Sequence, residues 1–189
     1  MLGRTRDDAA GESFDKLGKA LGLPYPAGPL IDKLSEGGRA GRVALPRTRI
    51  PARPLDMSFS GLKTAAIRAA AALPSRDPES GPVRDLLAEF QEAVVDILAS
   101  RVKLAAGENA VRSVLVTGGV AANRRLRSRL AELGDELGLP VHFPAMALTT
   151  DNAAMIAAAG AQRLLAEGPD ALSIDALPTW DLETLGAHP

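Results

Sequence analysis

One stretch constrains the fold more than any other: Val114-Leu115-Val116-Thr117-Gly118-Gly119-Val120-Ala121-Ala122-Asn123-Arg124-Arg125-Leu126. The aliphatic run Val114–Val116 reads as a short strand covered on both faces. Gly118 and Gly119 remove two side chains where that strand ends, so a ligand can approach the main chain closely. Beyond them Leu126, Leu130, Leu133 and Leu137 recur at helical spacing and give the next helix one apolar stripe. A strand, a glycine turn and a helix in that order offer free backbone N–H groups and a helix N-terminus to an anion or a nucleotide. The same pattern also makes a tight strand-to-helix connection with no ligand, and this stretch alone leaves both readings open.

Composition narrows the class. The chain has 189 residues, of which 46% are hydrophobic, enough to bury a core. It has no cysteine, which excludes a disulfide framework, cysteine metal sites and cysteine nucleophiles, and fits a reducing cytoplasm. A net charge of −1 announces neither nucleic acid nor a membrane surface. No apolar run reaches membrane-spanning length and no signal peptide opens the chain, so the expectation is a cytoplasmic protein with no membrane partner. His142 and His188 are the two histidines, and they show no metal-ligand spacing.

Along the chain, helices are predicted over 9–21, from Pro29 to Gly37, over 61–72 after a Ser60 cap, and over 82–106. In the last of these Val83, Leu86, Leu87, Phe90, Val94, Ile97 and Leu98 share a face that anchors the core. Residues 43–45 and 55–59 read as short strands, the second from the alternation of Leu55, Met57 and Phe59 with polar residues. After the leucine helix, Val141–Phe143 reads as a strand. Asp151 reads as the N-cap of a final helix over 153–166. The order implies α/β layering with a mixed, partly parallel sheet and flanking helices.

Four clusters are unusual. In Arg6-Asp7-Asp8-Ala9-Ala10-Gly11-Glu12-Ser13-Phe14-Asp15-Lys16, capping and the helix dipole explain Asp7 and Asp8. Asp15, a turn further on, is either a solvated face residue or a ligand group. In Tyr25-Pro26-Ala27-Gly28-Pro29-Leu30-Ile31-Asp32, Gly28 allows close approach and Asp32 can accept from hydroxyls; the bland reading is a shaped loop. Phe59-Ser60-Gly61-Leu62-Lys63-Thr64 is a capped helix start whose lysine can reach a phosphate, without P-loop spacing. Thr150-Asp151-Asn152-Ala153-Ala154-Met155-Ile156 places a carboxylate at a helix start, where it can cap or hold a metal.

Taken in order with Gly118-Gly119-Val120-Ala121-Ala122-Asn123, these motifs closely resemble one family, the tRNA N6-adenosine threonylcarbamoyltransferases (the TsaD, YgjD or Gcp family). The resemblance runs to about Trp180 and leaves 181–189 as a tail. It implies the actin/Hsp70/sugar-kinase fold, also called ASKHA and ribonuclease H-like. It implies transfer of a threonylcarbamoyl group from threonylcarbamoyl-adenylate to N6 of the tRNA adenosine beside the anticodon. Under it, Asp15, Gly28, Asp32 and Asn123 match substrate-binding positions. Gly118 and Gly119 match the nucleotide-binding turn, and Asp151 matches a ligand of the active-site metal, iron or zinc. No other catalytic group is assigned. Ala27 stands where a glycine is usual.

The family's N-terminal lobe carries a His-x-x-x-His metal pair and a Ser-Gly-Gly-His loop, and nothing in this sequence matches either. The resemblance therefore implies the C-terminal lobe of the enzyme over residues 1–180, incomplete as a catalyst by itself, with the metal shared with that missing His pair. It also implies tRNA and accessory subunits, a paralogous ASKHA subunit and a P-loop ATPase, as partners. Arg39, Arg42, Arg47, Arg49 and Arg53, with Arg124 and Arg125, are either tRNA phosphate contacts or a solvated surface. A competing reading is a non-catalytic half-domain that binds a nucleotide or a partner. A fragment of a sugar or acetate kinase is a third, which the Thr150-Asp151-Asn152-Ala153 motif disfavours.

Overall fold

Pro29 and Pro82 each sit in the first turn of a helix, where a missing N–H has no partner to lose. The computed structural model describes residues 1–173 and 175. Its helices are α1 (Ala10–Ala20), α2 (Gly28–Ser35), α3 (Ser60–Ala72), α4 (Gly81–Glu108), α5 (Arg124–Leu137) and α6 (Ala153–Glu167); its strands are β1 (Val114–Leu115) and β2 (Val141–His142). These residues divide into two units, one spanning 2–150 and the other running from Asp151 onward with Met1. The expected boundary at residue 180, the tail beyond it and His188 lie outside the described residues.

In the first unit α4 serves two cores. Val83, Leu86, Leu87, Phe90, Val94 and Ile97 pack with Phe14 and Leu17 of α1, Ile31 and Leu34 of α2, and Leu62 and Ala66 of α3. Phe14 and Phe90 meet edge to face, with ring centroids 5.2 Å apart. The opposite face of α4 offers Val95 and Ala99 to Leu126, Leu130 and Leu133 of α5. Each such burial is worth about 1.5–3 kcal/mol, so truncating α4 would uncouple both groups of helices. Gly138, in the left-handed conformation at φ 66°, ends α5 and turns the chain into β2.

The sheet is smaller than expected. Among the described residues, β1 and β2 pair in parallel, Val114 opposite Val141 and Leu115 opposite His142. One isolated parallel bridge joins Thr5 to Met57. Leu115 is 71% exposed, so the strand is not covered on both faces. Residues 43–45 form no strand: they pair with no neighbour among the described residues, and Pro46 directly after them lacks the N–H that would continue a ladder. The alternation at 55–59 has another cause. Asp56 is buried and accepts from the backbone N–H of Arg4 at 3.0 Å, while Phe59 enters the core.

Capping also differs. Asp7 caps α3 rather than its own helix: its carboxylate accepts from the N–H of Phe59 at 2.8 Å and of Ser60 at 3.2 Å, and from the Ser58 hydroxyl. Burial would raise the Asp7 pKa, but these three hydrogen bonds outweigh it and hold the group below its ordinary value. Asp8 accepts from Lys16 at 2.7 Å and from Lys63, tying α1 to α3. Those hydrogen bonds, Lys16 first, lower the Asp8 pKa from 3.8 to about 2. A depressed carboxylate stabilises the fold above its unfolded pKa and ceases to do so as pH falls through its folded one. The stability gap between the native chain and Asp8→Asn should therefore be full above about pH 4 and shrink as pH falls through about 2, from the shift in Asp8. Denaturant melts along that pH range measure it; a constant gap would mean that the carboxylate charge contributes nothing.

The second unit contains α6. Its N-cap is Asn152, whose side-chain oxygen accepts from the Met155 N–H at 3.0 Å, so Asp151 is not the cap. No residue of α6 is buried. No helix among the described residues is long and apolar enough to cross a membrane.

Candidate functional site

The central glycine turn is built as a short 3-10 segment, Gly119–Ala122, between β1 and α5. Gly118 precedes it at φ 88° and ψ 170°, a conformation that side chains resist. Asn123 follows and caps α5, its oxygen accepting from the Leu126 N–H at 2.9 Å. Its amide donates to buried Gln91 of α4 at 2.8 Å, so the turn is anchored to the core helix. The start of α1 lies close against the turn: a Cβ on Gly11 would be 3.4 Å from Val120.

This turn forms one wall of an open cavity of about 770 Å³. Gly28, Pro29 and Asp32 of α2, Asp15 of α1 and Met146 and Thr150 near the end of this unit supply other walls. The volume lies within the roughly 300–1,000 Å³ usual for small-molecule sites. Asp15, Gly28, Asp32, Gly119 and Asn123, far apart in sequence, thus line one space. Gly28 and Gly119 both border open room, since a Cβ on either would meet nothing within 4 Å. Gly118 is not among the lining residues; its part is to turn the chain.

The carboxylates are half engaged. One Asp15 oxygen accepts from the Ala27 N–H at 2.8 Å and so holds the Pro26–Gly28 loop against α1. Asp32 is 8% exposed, and one of its oxygens accepts from Arg124 Nε at 2.7 Å. Arg124 also pairs with Glu36. The second oxygen of Asp15 and that of Asp32 have no partner among the described residues, so each can still accept from a ligand hydroxyl.

Sequence reasoning missed what the arginines after Asn123 do. Three cations in the first turns of a helix oppose its dipole, which calls for another cause. Each has specific partners. Arg124 bridges Asp32 and Glu36 at the cavity. Arg125 grips Glu92 with two hydrogen bonds of 2.7 Å. Arg127 donates to the carbonyls of Ala121 at 2.6 Å and Pro144 at 2.8 Å, and lies 4.9 Å from the Phe143 ring centre, clamping the turn to the chain after β2. Arg124 and Arg125 are thus not free for phosphates, and neither is Arg47, which pairs with Glu89 and Asp96. Lys63 is likewise spent on Asp8.

Asp151 belongs to the second unit and is exposed. Among the described residues no three His, Cys, Asp or Glu side chains gather to hold a metal ion. These residues alone do not fit a metal centre: one carboxylate leaves most of a four- to six-coordinate shell to water.

The chain is of the α/β class, and it gathers a glycine turn, two carboxylates and a glycine-bearing loop around one cavity after a strand's C-terminal end, the place where such folds offer a crevice. Residues 1–158 match the family model described as tRNA N6-adenosine threonylcarbamoyltransferase, TsaD, and the chain belongs to this family. Relatives bearing that name include one from Prochlorococcus marinus (strain MIT 9303), 48% identical over 179 residues, with 92% of this chain and 50% of the relative covered. One from Dehalococcoides mccartyi (strain CBDB1) is 49% identical over 181 residues, with 94% and 52% covered. One from Burkholderia multivorans is 45% identical over 192 residues, with 97% and 55% covered. The chain spans about half the length of the curated relatives it matches.

Proposed function

We propose that this chain supplies the adenylate-binding part of an enzyme that transfers a threonylcarbamoyl group from threonylcarbamoyl-adenylate to N6 of the tRNA adenosine beside the anticodon. The observation that carries the reading is the single cavity that Asp15, Gly28, Asp32, Gly119 and Asn123 line together. In this reading the apolar wall of Phe14, Val120 and Met146 takes the adenine. The free oxygens of Asp15 and Asp32 accept from ribose or threonyl hydroxyls. Backbone beside Gly119 and Gly28 lies against the ligand without side chains between.

A divalent metal, iron or zinc, would take one ligand from Asp151 and the others from outside this sequence. The residues here would bind and orient the adenylate. tRNA, a paralogous ASKHA subunit and a P-loop ATPase are the proposed partners, and a cytoplasmic location is proposed with them.

The test has two arms. Calorimetry of the 189-residue chain with a non-hydrolysable threonylcarbamoyl-adenylate analogue should show binding at one site. A tRNA-modification assay should show turnover after adding the part of a relative that this chain does not span, and none before. Full turnover and stoichiometric metal from this chain alone would overturn the assignment of a partial site. Binding with no turnover in any combination would favour a non-catalytic nucleotide-binding half-domain.

A further inference from the structure

A second cavity, of about 450 Å³, opens between residues 47–49 and α4, and shares no lining residue with the first. Five cations line it, Arg47, Arg49, Arg101, Lys103 and Arg129, against the single acid Asp96. Three of the five are neutralised: Arg47 by Glu89 and Asp96, Lys103 by Glu136, and Arg129 by Glu132 and Glu136. Arg49 and Arg101 have no carboxylate partner among the described residues.

Arg101 is nonetheless fixed in place. Its Nε donates to the Asp56 carbonyl at 3.1 Å, one terminal nitrogen to the Thr48 carbonyl at 2.9 Å, and the other to the Ser100 hydroxyl at 2.9 Å. Burial, and then the charge of Arg49, lower its pKa. Arg49 and Arg101 thus line one cavity, the second hydrogen-bonded in place and half-buried, with no carboxylate between them among the described residues. Arg49 is exposed, so water screens much of this repulsion, and an anion between the two would meet both charges and remove the rest. Guanidinium forks match the oxygens of a phosphate, and positioned donors lose little entropy in binding one.

We propose that Arg49 and Arg101 form a phosphate-binding site beside α4, separate from the nucleotide cavity. The ligand is a tetrahedral phosphate group, carried either by an RNA backbone or by a small phosphate compound. The site does not depend on the cavity reading, and its test leaves the cavity residues unchanged.

The experiment titrates the 189-residue chain with inorganic phosphate, following Arg side-chain signals by NMR, and with an RNA hairpin at several salt concentrations. Arg49→Glu should weaken phosphate binding about tenfold or more, because the new carboxylate takes the anion's place beside Arg101. Its melting temperature should stay equal to or above that of the native chain, because the same change removes a like-charge contact. That pairing of effects separates a lost site from a damaged fold. Arg49→Ala should weaken phosphate binding in the same direction. If the source is an RNA backbone, Arg49→Ala should also flatten the salt dependence of hairpin binding by about one unit. If phosphate binding falls while hairpin binding is unchanged, the site serves a small phosphate compound. Equal phosphate affinity in the native chain and both variants, or no phosphate binding to the native chain at millimolar concentration, overturns the proposal. Adenylate binding measured on the same samples reports on the nucleotide cavity independently.

Discussion

Gly28→Val should reduce adenylate binding about a hundredfold, roughly 2.8 kcal/mol, with only a small fall in melting temperature. Gly28 opens α2 and lines the cavity, and a Cβ there would meet nothing within 4 Å beyond its own helix and chain neighbours. The side chain would thus enter ligand space, and Pro29 is the one neighbour it crowds. The fold loses a little, since a β-branched residue directly before Pro29 disfavours the helical backbone found there. Gly118→Val makes a poor probe of the same idea, although Gly118 belongs to the central motif. At φ 88° its backbone strains against any side chain, so lost binding there would be confounded by lost stability. Calorimetric titration and thermal melts on Gly28→Val separate the two. Native affinity with a native melting temperature would show that the cavity is not where the adenylate sits.

The contrast between these glycines marks what the sequence could and could not tell. The strand, glycine turn and leucine helix were legible because burial and backbone freedom are local in sequence: Leu126, Leu130 and Leu133 pack as their spacing requires. The long helix was legible for the same reason, though its second apolar face, Val95 and Ala99 against α5, was not. The strands expected at 43–45 and 55–59 did not form, because alternation alone does not make a strand. Alternation at Met57 and Phe59 came from a single bridge and a core anchor, and a strand needs a neighbour that local pattern does not supply. The cavity residues were named through family resemblance, and the structure brings five of them together. Their present partners were invisible in advance. Arg124 on Asp32 joins positions 92 residues apart, and a pairing of that range leaves no periodic trace. The one local sign was a run of cations at a helix start, contrary to the dipole. Asp7 and Asp8 looked like caps of the helix they precede, yet both act across the chain on α3.

Arg47→Met should destabilise the first unit by about 3–5 kcal/mol, the largest loss of stability expected from a single change outside the apolar core. Its cause lies in Glu89, in the middle of α4 and only 3% exposed. One Glu89 oxygen accepts from the Gly41 N–H at 2.6 Å and the other from Arg47. Arg47 in turn donates to the Leu45 carbonyl at 3.0 Å and to Asp96 at 3.0 Å, so residues 41–47 are strapped to α4 through this pair. Methionine would retain much of the apolar stem but leave a buried carboxylate with one backbone donor and no opposite charge. The expense of that charge is out of proportion to the worth of the pair itself, because the pair was formed at a desolvation cost of its own. Removing both charges should therefore recover most of the loss: Arg47→Met with Glu89→Leu is expected within about 1–2 kcal/mol of the native chain, the remainder reflecting the unpaired Gly41 N–H. Denaturant melts of the four proteins in this cycle give the coupling directly. If the double variant is as unstable as the sum of the two single ones, the pair is not what holds residues 41–47 on α4. The Gly41 and Leu45 backbone contacts, which leave no charge behind when broken, would then carry that attachment.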